Sequence, residues 1–375
     1  MSAVAADVLT RRELNRATLA RQLLLEPSDL PVLEAVEHLV GLQAQVPRDP
    51  YTALWSRLDG FRPDELSQLL LDRKVVRIAV MRSTIHLVSA DDCLVLRPLV
   101  QPVLDGELSR HRDYGPALVG VDLDAVMDVA RPLLATQAMT GAQLRAAMAE
   151  RFPGLDPAAL AFACRNRLAF VQVPPRGLWG RSGQVTSTTA ESWLGRPLDP
   201  APSIDEVVMR YLAAFGPAAV ADVTTWSRLT GLREVVDRLR PRLRPFRDEH
   251  GRELFDLPDA PRPHPDTPAP ARFLPEYDNA LLSHADRSRF MSDDHRKRLS
   301  YGPGRVHGSV LHDAVGCATW HIDRDRASGK ATLVVDHPDR LTKGGASTLA
   351  AEGRRLLRFL ASDADTHDVR FAALD

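Results

Sequence analysis

Hydrophobic positions along this chain recur at two spacings, one helical and one extended, and the two alternate in blocks. Thr10 followed three residues later by Glu13 forms the sequence pattern of a capping box and opens the first helix. Residues 31–43 predict a second helix, with Leu33, Val36, Leu39 and Val40 on one face. Residues 64–72, carrying Leu66, Leu69 and Leu70, predict a third. Two β-rich runs follow, over 75–80 and 84–88, close enough to pair as a hairpin. The same order returns twice. Helical spacing over 124–134, 140–144 and 156–168 gives way to a strand at 170–173 and the turn Pro174-Pro175-Arg176-Gly177. Helical spacing from Asp205 (Val207, Val208, Tyr211, Leu212), over 217–226 and over 232–239 then leads to strands at 243–246 and 253–257.

Helices closing on a hairpin, repeated at intervals of about 80 residues, predict three tandem winged-helix motifs. Six prolines between Pro258 and Pro270 forbid a helix or a central strand there and predict an extended linker. Beyond it, extended runs at 308–311, 316–322 and 331–335, a helix over 347–361 and a strand near 369–371 predict a C-terminal α+β module with a small antiparallel sheet. The expected class is therefore α+β. Its expected units are 1–120, 121–202, 203–257, the linker 258–272, and 273–375.

Composition changes this picture little. The chain is 44% hydrophobic and 26% charged, as globular proteins are. It has no apolar run long enough to cross a bilayer and no signal-peptide pattern at its first residues, so a cytoplasmic protein without a membrane partner is expected. Cys93, Cys164 and Cys317 are too far apart in sequence for a Cys-x-x-Cys metal site or a disulfide framework. The formal net charge of −1 argues against a uniformly basic surface. Charge is nevertheless segregated: Arg238, Arg240, Arg242, Arg244 and Arg247 fall within ten residues.

Candidate chemistry is easier to exclude than to assign. No His-Glu-x-x-His, phosphate loop, Gly-x-Gly-x-x-Gly or Gly-x-Ser-x-Gly occurs. His307 and His312 have only Asp313 close by in sequence, so no metal and no cofactor is expected. The unusual local feature is Gln43-Ala44-Gln45, followed by Val46-Pro47. Pro47 disfavours helical geometry at Val46, which places the two glutamines at a fraying helix end. By spacing alone they read first as capping amides at a polar helix end, and only second as an amide pair converging on one cavity.

Four segments, read together, go further. Leu9-Thr10-Arg11-Arg12-Glu13-Leu14-Asn15, Gly41-Leu42-Gln43-Ala44-Gln45, the run from Met81 to Val88 and the run from Leu274 to Arg287 resemble, in the same order, the AlkZ/YcaQ family of bacterial DNA glycosylases. The resemblance implies three winged-helix motifs cupping duplex DNA, excision of N7-alkylated guanines, and unhooking of interstrand crosslinks. It places the family's Gln-Φ-Gln motif on Gln43 and Gln45 as catalytic residues, with self-resistance to a DNA-alkylating natural product as one biological setting. The chemistry agrees. An N7-alkylguanine already carries a positive charge and leaves as a neutral base, so two uncharged amides that place a water suffice. No lysine is assigned as a Schiff-base nucleophile, and a monofunctional enzyme is expected.

For DNA contacts, Arg82, Thr84 and His86 in the first wing, Arg238, Arg240, Arg242 and Arg244 around the third, and Arg287 and Arg289 are the candidates. Each has a purely structural alternative. Three repeats in one polypeptide favour a monomer. The rival function is a non-catalytic winged-helix transcription regulator, which normally needs a symmetric dimer.

Overall fold

A computed structural model of the chain describes residues 7–299 and 307–374. It is a mixed α+β protein built on three sheets. The predicted cap is present: Thr10 and Glu13 close a reciprocal box on the helix Arg11–Arg21, and a second box, not singled out by the sequence, joins Thr140 and Gln143 on Gly141–Arg151. Among the described residues no helix is long and apolar enough to cross a membrane.

The expected hairpins form, but they do not stay within separate units. Val75–Ala79 pairs antiparallel with Ile85–Ser89, and Phe170–Gln172 pairs with Thr186–Thr189. Arg77 and Ile78 then pair with Gln172 and Val171, fusing both hairpins into one six-stranded sheet whose outer strands are Leu42–Gln43 and Met139–Thr140. Joining the hairpins satisfies the backbone groups that a lone two-stranded wing would leave exposed. The largest apolar core follows the same lines, running from Val76 and Ile78 through Val171 to Tyr211, Phe215 and Trp226.

The N-terminal segment also crosses the expected boundaries. Asp7–Leu9 pairs in parallel with Arg244–Asp248, next to Glu253–Asp256. Arg21, buried at the end of the first helix, grips Asp256 with Nη1–Oδ1 and Nη2–Oδ2 distances of 2.6 and 2.8 Å. The proline-rich stretch forms neither helix nor strand, as its composition requires, and its carbonyls accept from that helix: Arg12 Nε to Pro265 at 2.7 Å and Arg16 Nε to Thr267 at 2.7 Å. It is strapped down rather than free.

The C-terminal sheet has five strands, Arg272–Leu274, Gly308–His312, Val315–Asp325, Lys330–His337 and Thr366–Ala373, in that spatial order. It is mixed rather than purely antiparallel. The helix Lys343–Leu360 crosses between the last two strands, so they run parallel.

Candidate active site

The helix expected over 31–43 ends early, and this changes the geometry of the glutamines. The helix is Val32–His38; Val40 and Gly41 then take positive φ values of 53° and 88°, and Leu42–Gln43 is a strand. Gln43 pairs directly with His86. The strand ends at Gln43, and Gln45 lies in the bend just beyond it, so no fraying helical turn is involved; its amide returns to Ile85, next to the Gln43 partner His86. Ala44 points the other way, into the core with Leu42, Tyr51, Leu54 and Leu87, and is fully buried. The apolar middle position of Gln-Φ-Gln is a core position.

The strand ladder breaks at the motif. Ala44 N–H donates to the Ile85 carbonyl at 2.8 Å. The return bond does not form; Ile85 N–H donates instead to Gln45 Oε1 at 3.3 Å, and the Ala44 carbonyl accepts from Arg77 Nη2 at 2.7 Å. Arg77 itself is buried, with Nε and Nη1 making no hydrogen bond among the described residues. A buried cation thus pins the backbone between the glutamines from below.

Gln43 is held from above by Arg82. Arg82 and Ser83 form the tip of the hairpin, both with positive φ (57° and 59°), the backbone that a tight hairpin turn requires. The turn curls the guanidinium back over the sheet. Its Nη2 donates to Gln43 Oε1 at 2.6 Å and to Asn279 Oδ1 at 2.8 Å, lies 3.4 Å from His86 Nε2, and Nη1 reaches the Trp226 carbonyl at 3.5 Å. Burial pushes Arg82 down to about 10, which leaves it charged at neutral pH. His86 is fully buried, and burial, reinforced by the neighbouring Arg82 charge, pushes it down to about 3. It is neutral. Because a carbonyl only accepts, His86 Nδ1–H must donate to Thr84 O at 3.0 Å, which leaves the Nε2 lone pair facing Arg82. With Gln43 Oε1 on a cation, the Gln43 amide has its NH₂ end available. Gln45 is exposed, and among the described residues its side chain is held only by its long bond to Ile85.

The run from Leu274 to Arg287 is an internal bracket. Asp278 accepts from buried Arg57 at 2.7 and 2.9 Å, and Asn279 also donates to the Gly41 carbonyl at 3.2 Å. His284 contacts Phe215 O at 3.0 Å, and Asp286 accepts from Arg252 at 3.0 Å. Asn279 joins the glutamine network only in three dimensions, 236 positions along the chain from Gln43. Asp49, four residues after Gln45, was not singled out by the sequence. It is buried, its Oδ2 makes no hydrogen bond among the described residues, and burial with nearby Glu276 raises its carboxyl to about 8.

The residues expected at phosphates divide sharply. Arg289 is buried and donates to Thr18 Oγ1 at 2.9 Å and to the Pro217 carbonyl at 3.3 Å, so it is an internal strut and no phosphate can reach it. His86 is likewise sealed, and Arg82 points inward. Thr84 Oγ1 donates to the Met81 carbonyl at 3.1 Å. Arg287 is half-buried, with its guanidinium lowered by burial and by Arg296. On the helix Leu232–Leu239 and the turn after it, Arg238 pairs with Asp205 and Arg240 with Asp237 and Glu253 at 2.9 and 3.0 Å; on the third hairpin itself, Arg244 pairs with Asp7 at 2.8 Å. Arg242 is exposed. Sequence showed the arginines but not the acidic residues that the fold brings beside them.

The structure is similar to that of the Streptomyces sahachiroi DNA glycosylase AlkZ, with a TM-score of 0.76 at 20% identity, covering 97% of this chain and 100% of that one. Among curated protein sequences nothing matches. The sequence profile described as DNA glycosylase AlkZ-like matches residues 36–359, which includes the glutamine strand, the Arg82 hairpin and the Asn279 bracket. A non-catalytic regulator is thereby set aside: this chain belongs to the AlkZ-like family of DNA glycosylases.

Proposed function

We propose that the chain hydrolyses the N-glycosidic bond of cationic N7-alkylguanine in duplex DNA, including the guanines of interstrand crosslinks, with Gln43 and Gln45 placing the attacking water. The observation that carries this reading is the pair of neighbouring amides tied to one hairpin, Gln43 to Arg82 and Gln45 to Ile85, with no carboxylate or lysine hydrogen-bonded to either among the described residues. Such a site supplies dipoles and position but no proton, which matches a base that leaves without protonation.

The two amides are unequal, and the inequality suggests a division of labour. Gln43, with its carbonyl on Arg82, offers N–H to the water oxygen and fixes where it sits. Gln45, exposed and loosely tied to Ile85, turns its carbonyl to accept a water hydrogen and faces the cationic sugar with the same dipole. The helix–hairpin units are read as winged-helix modules of a monomer cupping the duplex, with exposed Arg242 and half-buried Arg287 the remaining phosphate candidates. Self-resistance to an alkylating natural product is the setting this substrate class favours.

The test is release of N7-methylguanine from duplex DNA, followed by alkaline cleavage of the abasic site. Gln43→Ala with Gln45→Ala is expected to lower single-turnover release by at least about 10²-fold, the usual loss when a preorganised dipole is removed. Duplex affinity is expected to stay unchanged. Excision by the double variant at the wild-type rate would remove the motif from the mechanism.

A further inference from the structure

The sequence sets His307 beside only His312 and Asp313; strand pairing gives it different company. Gly308 pairs with Trp320, so His307 lies one step further on, beside His321, and their ring centroids are 4.7 Å apart. Thr319 pairs with Asp336, which puts Asp336 diagonally next to His321 on the same face of the sheet. Trp320, Leu333 and Val335 occupy the opposite face and pack in the core beneath the helix Lys343–Leu360. Each of His307, His321 and Asp336 offers one ligand atom within 4.8 Å of the other two.

We propose that His307, His321 and Asp336 bind a divalent transition-metal ion, zinc in the first instance. His321 Nδ1 lies 3.2 Å from Asp336 Oδ2, and His307 Nδ1 lies 3.8 Å from the same oxygen. Two ligands about 2.1 Å from a tetrahedral zinc stand roughly 3.4 Å apart, so these separations bracket the required spacing. Neither His321 Nδ1 nor Asp336 Oδ2 makes a hydrogen bond among the described residues, although both atoms are buried. Two potential ligand atoms thus converge beside Asp336, which is only 7% exposed. An uncompensated buried carboxylate is costly, and a cation removes that cost.

The surroundings fit as well. His321 Nε2 lies 3.5 Å from Asp323 Oδ1, the carboxylate–histidine–metal relay that orients a ligating imidazole. Two imidazoles and one carboxylate are borderline ligands that take zinc and its neighbours in preference to magnesium or calcium, and solvent completes the fourth position. The ion would staple the three central strands at one end. Next to it, on the other face, Trp320 Nε1 donates to the Leu274 carbonyl at 2.8 Å, at the root of the loop that carries Asn279 to Arg82.

The full chain, stripped with a chelator and dialysed against zinc chloride, is expected to retain a single zinc by elemental analysis. Cobalt(II) in its place is expected to give the intense visible bands of a four-coordinate ion. His321→Ala and Asp336→Asn should each reduce retained metal to background and abolish the chelator-induced fall in melting temperature. Asp323→Ala keeps all three ligands, so it reports even if the other variants fail to fold, and should weaken zinc binding by about 10- to 100-fold with unchanged stoichiometry. Wild-type protein that takes up no zinc or cobalt, or His321→Ala and Asp336→Asn variants that retain the ion, would overturn the assignment.

Discussion

Replacing Arg82 by Ala separates a positioning role from a phosphate contact. The guanidinium holds Gln43 Oε1 at 2.6 Å and Asn279 Oδ1 at 2.8 Å through a single nitrogen. Without it, nothing on the hairpin restrains the Gln43 side chain, whose rotamer freedom is worth roughly 1.5–2 kcal/mol. That freedom must be given up again in the transition state, which translates to a single-turnover rate about 10- to 30-fold lower. The loss is smaller than for removing Gln43 itself, because the amide is still present. Alanine adds no new backbone strain, since Arg82 already sits at φ 57° without a glycine. Stability should fall by about 2–4 kcal/mol, as two buried acceptors lose a charged donor, so rates are compared well below the variant's melting temperature. Arg82→Lys preserves the charge but not the fork and should recover part of the rate. The assay is release of N7-methylguanine with protein in excess over duplex, alongside duplex affinity measured across a salt series. If Arg82 instead neutralised a phosphate, the rate at saturation would be unchanged and the slope of log affinity against log salt would shrink by about 0.9. That result would refute the positioning argument.

Two further perturbations test the ground beneath the motif. Asp49 keeps its proton in the folded chain up to about pH 8, whereas the unfolded chain releases it near pH 4, so stability falls as pH rises through that window by up to about 1.4 kcal/mol per pH unit. Asp49→Asn should raise the melting temperature at pH 8 and change it little at pH 4; an identical pH profile in the variant would assign the titration to another group. Gly41→Ala places a methyl 2.7 Å from Val88 Cγ1 and 3.0 Å from the Leu87 carbonyl, at φ 88°. It should lower stability by about 2 kcal/mol or more in urea titrations and slow excision by displacing Gln43, and a neutral outcome would mean that the Gly41 turn is softer than the packing indicates.

Local physics was legible in the chain. The cap at Thr10, the hairpins around Arg82 and Asp248, and the absence of helix or strand across the described proline stretch all depend on residues within a few positions of one another, so propensity and spacing predict them. The motif Gln43-Ala44-Gln45 was visible too, though not its backbone. A helical reading of 31–43 needed only apolar spacing, whereas the strand at Leu42–Gln43 exists because Ile85–Ser89 supplies its partners. The same reason accounts for the rest. Arg289 and Arg244 are both arginines in polar stretches, and nothing nearby in sequence says that one will be buried on Pro217 while the other meets Asp7. Asn279 reaches Gln43 through Arg82, and His307 meets His321 and Asp336, only after strands far apart in the chain have paired. The sequence by itself determined which side chains were available and the local turns that present them. Which charges are neutralised, which are buried, and which groups hold the two amides were decided by long-range pairing, because electrostatics and burial depend on distance in space and not along the chain.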